Sequence, residues 1–293
     1  MTQGEIEALT VTMEQAASRL EMDVMKDIVR RIKANSDMTA SAQYQIDRLR
    51  QLGLSDKYIR EQIQTFLKVS DSEMDRIYNQ VTGNEYEKYS GAYESAGIEK
   101  QPFGNHAEIQ SVISSAMKQT GDTFQNLTQT MGFSVVQNGK KVFLPVAQYY
   151  QKTLDNAILG ISMGVFDYNT VLKKTVQEMT RSGLRTVTYA SGRTMRIESA
   201  ARMALMTGLK QITKHMNEQV ANELGTDDYE VSYHIGARPE HQVWQGRVYS
   251  SRELVDVCGL GKVTGLCGIN CYHWYQVFIK GISVRNYTDE ELD

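Results

Sequence analysis

Along most of the chain, apolar residues return every three to four positions and short polar breaks separate the runs. That spacing lays one apolar stripe along a helix. Met25, Ile28, Val29 and Ile32 form one stripe. Ile59, Ile63, Phe66 and Leu67 form another, after a helix-start signal at Ser55 and Asp56. Ser70 or Asp71 is placed to cap a third, short helix with Met74, Ile77 and Val81 on its inner face. From Glu85 to Gly104 the period is lost in a run rich in Tyr, Gly and Glu, which reads as a linker or irregular arm. A helix follows from Glu108 towards Thr130, with Ile109, Val112, Ile113, Ala116 and Met117 inward.

The pattern then changes. Asn138-Gly139 sits between two β-favouring runs, Phe133 to Gln137 and Lys140 to Leu144, the strongest short-range signal for a hairpin. Pro145 suits the first turn of a helix reaching Gly160. Asp167 is placed to cap another, with Val171, Leu172, Val176 and Met179 as its stripe and Ser182-Gly183 as its end. A long helix is expected from Thr194 to Leu224, carried by Leu205, Leu209, Ile212, Met216 and Val220 and stopped by Gly225. Tyr229 to Ile235 alternates as a strand does, and beyond it Gly, His, Trp and Cys become dense. The fold class is therefore mainly α: a long helical body with one β-hairpin and a small C-terminal α+β module. Three regions follow: an N-terminal helical region and linker over 1–104, a central helical domain over 105–225, and a Cys/His-containing module over 226–293.

Composition narrows the function. The 293 residues are 41% hydrophobic and 23% charged, ordinary for a folded protein with a real core and about two domains. Only three prolines interrupt the helical pattern. The net charge of -3 argues against a nucleic-acid binder that is basic all over. No run approaches about 18 apolar residues, so no membrane insertion is expected. The opening MTQGEIEALTVTMEQ lacks the basic and apolar regions of a signal peptide, and the three cysteines do not suit a secreted disulfide framework. Synthesis inside the cell is the expectation.

Charge is unevenly distributed. Residues 1–100 hold 13 bases and 17 acids, whereas Lys173 to Lys214 hold nine bases and only Glu178 and Glu198 as acids. Arg193, Arg196, Arg202, Lys210 and Lys214 make this a candidate contact for phosphate or for an acidic protein partner. The competing reading is two solvated helix faces. Tyr189 is the one aromatic interleaved there, too few for base stacking.

The densest chemistry lies in GARPEHQVWQGRVYS, from Gly236, and GLCGINCYHW, from Gly265. Cys267, Cys271 and His273 fall within seven residues, with His241 upstream. Thiolate and imidazole together are the ligands zinc prefers, and these four are the candidate set, with Cys258 or His234 able to replace His241. The spacing C-x3-C-x-H is not the usual C-x2-C knuckle. The cysteines are equally readable as small core residues of a Gly-rich fold, with His273 bonded to backbone. Cys267 or Cys271 beside His241 or His273, with Asn270 nearby, also supplies the residue types of a nucleophilic site, but without a flanking signature. Arg238 and Trp244 read as turn anchors.

The runs GARPEHQVWQGRVYS and TGLCGINCYHWYQVFIKGIS, with SGLRTVTYASGRTMRIESAARMALMTGLKQ upstream, resemble the C-terminal part of phage minor capsid proteins. These are head-morphogenesis proteins of tailed phages related to the Mu protein F group. The resemblance spans about residues 145–290. Tyr272 stands between Cys271 and His273 where the family commonly carries Arg. The resemblance implies a structural virion component, not an enzyme. It would associate with portal and capsid proteins inside the head near the portal, after assembly in the host cytoplasm. It would assist head morphogenesis, DNA packaging or delivery, with non-specific contact to packaged DNA. A prophage-borne effector or hydrolase using the Cys/His cluster is the alternative.

Overall fold

A computed structural model describes residues 8–34, 42–162, 168–187, 193–268 and 271–292. Helix α1 (Val11–Ala34) is followed by α2 (Ala42–Asp75), which passes directly into a π-helical turn (Arg76–Val81). Two short helices, α3 (Thr82–Glu87) and α4 (Ser90–Ala96), and a 3-10 turn (Phe103–Asn105) lead into α5 (Ala107–Gln129). Strands β1 (Gly132–Gln137) and β2 (Lys140–Pro145), helices α6 (Val146–Ser162) and α7 (Tyr168–Ser182), and strands β3 (Arg185–Val187) and β4 (Thr194–Arg196) precede the long α8 (Ile197–Glu223). The remainder is β5 (Asp228–Val231), α9 (Pro239–Gln242), β6 (Val248–Ser250), α10 (Ser251–Asp256), β7 (Tyr275–Phe278) and α11 (Asp289–Leu292). No described helix is long and apolar enough to cross a membrane.

The chain forms two compact units, each built from separated segments. One comprises Thr12–Glu73 and Thr120–Ala204, the other Met1–Val11, Met74–Gln119 and Leu205–Asp293. In the first, an antiparallel sheet of order β2-β1-β3-β4 packs its inner face into the core. Phe133 is fully buried, and its ring lies 4.7 Å from that of Tyr149. Phe66 and Phe124 meet edge to face at 6.0 Å. The hairpin turns at Asn138 and Gly139, both with positive φ (50° and 75°), and pairs Gly132 with Pro145 through Gln137 with Lys140. That is the twist a two-residue turn needs to match its strands. Gly132 is obligatory, because a side chain there would strike the Leu144 carbonyl.

The second unit is organised around the later turns of α8, whose Leu205, Leu209, Ile212, Met216 and Val220 are almost fully buried. Its sheet has the order β6-β5-β7, antiparallel throughout. Asn217 on α8 donates from Nδ2 to the Tyr275 carbonyl at 2.7 Å and accepts from Tyr89 Oη at 3.1 Å. Glu223 at the end of α8 accepts from Tyr93 Oη at 2.5 Å and contacts His106 Nε2 at 2.8 Å. Glu230, 2% exposed, takes the Asn286 backbone N–H and side-chain amide and the Gln276 amide, which fastens the last residues to the sheet.

The mainly α class holds, and its details differ from the pattern-based reading in several places: the helix expected from Thr194 begins at Ile197, after strand β4, and the strand expected to reach Ile235 ends at Val231. Ser55 and Ser70 start no helix, because both sit inside the continuous α2. Ser55 Oγ donates to the buried carboxylate of Asp27 at 2.6 Å, and Ser70 Oγ bonds back to the Phe66 carbonyl at 2.9 Å. The Ser70 bond, one helical turn back, leaves the helix intact, and the Ser55 bond ties it to α1. The stretch from Glu85 is ordered, with Tyr86 and Tyr93 buried on α3 and α4. The hairpin gains β3 and β4, short strands with too few residues to show a period. Val176 is exposed, and Thr175 takes the inward place on α7, its hydroxyl satisfied by the Val171 carbonyl. Asp167 lies outside the described residues.

Candidate functional site

The two motif runs come together beside β7. Arg238 is the N-cap of α9 and Pro239 its first residue, where a missing N–H costs nothing. This one turn carries His241 inward to 2% exposure. The second run makes a series of tight turns from Cys258 to Gly268, tied by Leu266 N–H to the Cys258 carbonyl at 2.8 Å, and Cys271 N–H bonds the Gly268 carbonyl at 3.1 Å. Gly265 lies against the backbone of Gly259 so closely that any side chain would collide with the Gly259 carbonyl. From beneath, Lys210 of α8 donates to the carbonyls of Cys267, Gly268 and Cys271 at 3.2, 3.2 and 3.0 Å. Loop and helix thereby fix Cys271 and His273.

Three of the four expected ligands converge. His241, Cys271 and His273 are all buried, and their ligand atoms lie within 4.8 Å of one another, a group that could hold a metal. The Nδ1 atoms of the two histidines are 3.4 Å apart, and Cys271 Sγ is 3.6 Å from His273 Nδ1. Cys267 stands at the margin: its thiol donates to the His273 carbonyl at 3.6 Å, from a left-handed backbone with φ 59°. Cys258 is buried and sits outside the group, as does His234, whose ring packs 4.7 Å from that of His273. Asn270 lies outside the described residues.

The tautomers follow from the partners. His241 Nε2 faces the Thr264 carbonyl at 2.8 Å, and a carbonyl only accepts, so Nε2 carries the proton. His273 Nε2 faces Gln245 Oε1 at 2.9 Å. That oxygen is oriented by the His234 backbone N–H, 3.0 Å away, which can only donate. Its Nε2 is therefore protonated as well. The Nδ1 atoms of both rings face the same point, beside the Cys271 thiol. Trp244 closes the cluster, its ring 4.7 Å from each imidazole. Burial, then the neighbouring His234, His241 and Arg238, hold His273 down to about 3, so its ring stays neutral. Burial first, and then Cys271, push the Cys267 thiol up to about 12.

Chemically this is a buried ligand set. A nucleophile needs an approach for its substrate, and Cys271 is only 5% exposed. Gln245 and the Thr264 carbonyl, which set the tautomers, escaped the sequence reading. Gln245 does lie in the W-Q-G run, but nothing in that run marks it as a support for an imidazole 28 residues away.

The basic residues are distributed differently. Arg193, Arg196 and Arg202 belong to one unit, Lys210 and Lys214 to the other. Arg196 pairs with Glu21 and Glu198, both at 3.3 Å, Arg202 with Glu14 at 3.4 Å, and Lys214 with Glu218 at 3.7 Å. Lys210 is committed to the cysteine loop.

No curated protein and no solved structure matches the chain. The model of one family, described as phage minor capsid protein 2, matches residues 3–293. A match over that span takes in both units and the terminal module, and the chain belongs to the phage minor capsid protein 2 family, a capsid component of the virion.

Proposed function

We propose that the chain is a structural protein of a tailed-phage head that associates with the portal inside the capsid and assists head morphogenesis, DNA packaging or delivery. The family match across residues 3–293 carries the reading. The buried Cys/His cluster fits it, because ligand atoms on side chains as buried as His241, Cys271 and His273 suit a fastening better than a catalytic centre. The protein is made in the host cytoplasm and then enters the particle, without membrane insertion. Arg193, Arg196 and Arg202 supply a non-specific contact to packaged DNA: Arg196 and Arg202 keep 46% and 35% of their side chains exposed while paired to acids.

Co-expression of this chain with the head genes of its phage, with and without the portal gene, tests the reading. Purified heads should carry the chain in low copy, and heads assembled without portal should lack it. Equal amounts in portal-less heads would remove the portal from the proposal. Absence from every head would remove the proposal itself.

A further inference from the structure

Two neutral imidazoles do not ordinarily face each other through unprotonated nitrogens. With both Nε2 atoms committed to acceptors, His241 and His273 turn their Nδ1 atoms towards one place, 3.4 Å apart, a convergence that a shared cation satisfies. A lone pair buried without a donor costs about 1–3 kcal/mol. The thiol of Cys271 can satisfy one such lone pair, not two.

The spacing matches that of a tetrahedral metal site. Zinc takes imidazole nitrogen at about 2.0–2.1 Å and thiolate sulfur at about 2.3 Å in a tetrahedron. Those bond lengths place two nitrogen ligands about 3.3 Å apart and a nitrogen and a sulfur about 3.6 Å apart. The corresponding separations here are 3.4 Å and 3.6 Å. The supports are those a metal site requires, since each imidazole donates its remote N–H to an oxygen that fixes ring and tautomer, Thr264 O for His241 and Gln245 Oε1 for His273. The site also has a structural consequence. His241 belongs to α9, Cys271 and His273 to the approach to β7, so one ion would join two chain runs that otherwise meet through turns.

We propose that His241, Cys271 and His273 bind a structural zinc ion through Nδ1, Sγ and Nδ1, with Cys267 turning its thiol inward as the fourth ligand. Cys271 and Cys267 bind as thiolates, and their protons pass to solvent. Gln245 is a positioning residue that holds the His273 ring. The chemistry demanded is that of a borderline-soft divalent ion, which carboxylate-preferring Mg²⁺ and Ca²⁺ do not meet. The site stands independently of the portal reading, because metal content is measured on the isolated chain.

The untagged full-length protein, purified without chelator, should carry about one zinc per chain by elemental mass spectrometry, as a single tetrahedral site requires. Less than about a tenth of that, with no uptake on adding zinc, overturns the proposal. Zinc-free protein titrated with Co²⁺ should develop the visible absorption of tetrahedral cobalt together with a thiolate-to-cobalt charge-transfer band. Octahedral cobalt absorption without that band overturns it. Cys271→Ser should remove most of the charge-transfer band, and Cys267→Ser should diminish it. A Cys267→Ser spectrum identical to wild type removes Cys267 from the ligand set. Where Cys271→Ser fails to fold, Gln245→Ala decides: all four ligands remain, and zinc affinity should fall about 10- to 100-fold. Unchanged affinity in Gln245→Ala counts against the site. Cys258→Ala, which alters a thiol outside the cluster, should bind zinc as wild type does.

Discussion

Lys210 places one ammonium among three carbonyls of the cysteine loop, so its loss leaves all three acceptors without their cation. Lys210→Met keeps the aliphatic stem and should cost about 2–4 kcal/mol, given about 1.5–3 for each bond to a charged group and poor additivity among them. Urea unfolding checks this, and a loss below about 0.5 kcal/mol would show that the three bonds contribute nothing net. Cys258 makes a different prediction. Burial first, and the charge of Glu253 second, push its thiol from 9.0 up to about 12. The folded chain therefore holds that proton more tightly than the unfolded chain does. Stability from this group is complete below pH 9 and is lost as pH rises towards 12. Cys258→Ala should flatten the alkaline limb of a stability profile measured by thermal melting across that window. At this scale the sequence showed residue types better than roles. Cys271 and His273 announce themselves by proximity, and His241 by its motif. Gln245 does not, because an amide is informative only when its oxygen can be seen between an N–H and an imidazole. Lys210 read as surface charge because its carbonyl partners lie 57 to 61 residues further along the chain.

Elements were legible where a signal and its consequence lie within a few residues. Asn138-Gly139 demands positive φ at two adjacent positions, and the hairpin forms there. Gly139→Val should cost about 1–2 kcal/mol, since a β-branched residue resists the left-handed region. A smaller loss in chemical denaturation would mean that the turn relaxes to another type. The start of α10 is equally local. Ser250 and Glu253 form a reciprocal capping box, with Ser250 Oγ accepting from the Glu253 N–H and Glu253 Oε2 accepting from the Ser250 N–H at 2.8 Å. Ser250→Ala should cost about 1 kcal/mol, and Glu253→Ala in the same background should cost little more, because the two bonds act as a pair. A double-mutant cycle reads that coupling. Ser55 and Ser70 misled for the opposite reason. Their hydroxyls have the chemistry of caps, yet Asp27, 28 residues earlier, takes the first, and a helical carbonyl takes the second. Strands β3 and β4, three residues each, carry no readable period and exist because β1 offers an edge to β3, and β3 in turn offers one to β4.

For the molecule as a whole, charge is arranged within each unit and not spread over a surface. The average of -3 conceals this, and within the stripe of bases Arg196 and Arg202 are answered by acids of α1. Surface pairs such as Arg202 with Glu14 stabilise by about 0–1 kcal/mol, so they can exchange a carboxylate for a phosphate without unfolding the chain. If Arg193, Arg196 and Arg202 meet DNA, duplex affinity should fall with salt along a slope of about -2.7 in log–log form, one contribution per phosphate. Replacing all three with Gln should bring that slope close to zero in a filter-binding titration while thermal melting stays near wild type. An unaltered slope would assign any DNA affinity to other residues.

The interleaving of the two units also sets an order of manufacture. Every residue of the unit containing the hairpin lies between Thr12 and Ala204, whereas the other unit requires Leu205–Asp293. A ribosome delivers the parts of the first before it has translated the inner helix, the sheet or the Cys/His cluster of the second. Met74–Gln119 must therefore wait, with Tyr78, Tyr89 and Tyr93 lacking their final partners, until Leu205, Asn217 and Glu223 emerge. During that interval the nascent chain presents an unfinished tyrosine-rich surface, and the later segment from Leu205 onward is the one that covers it.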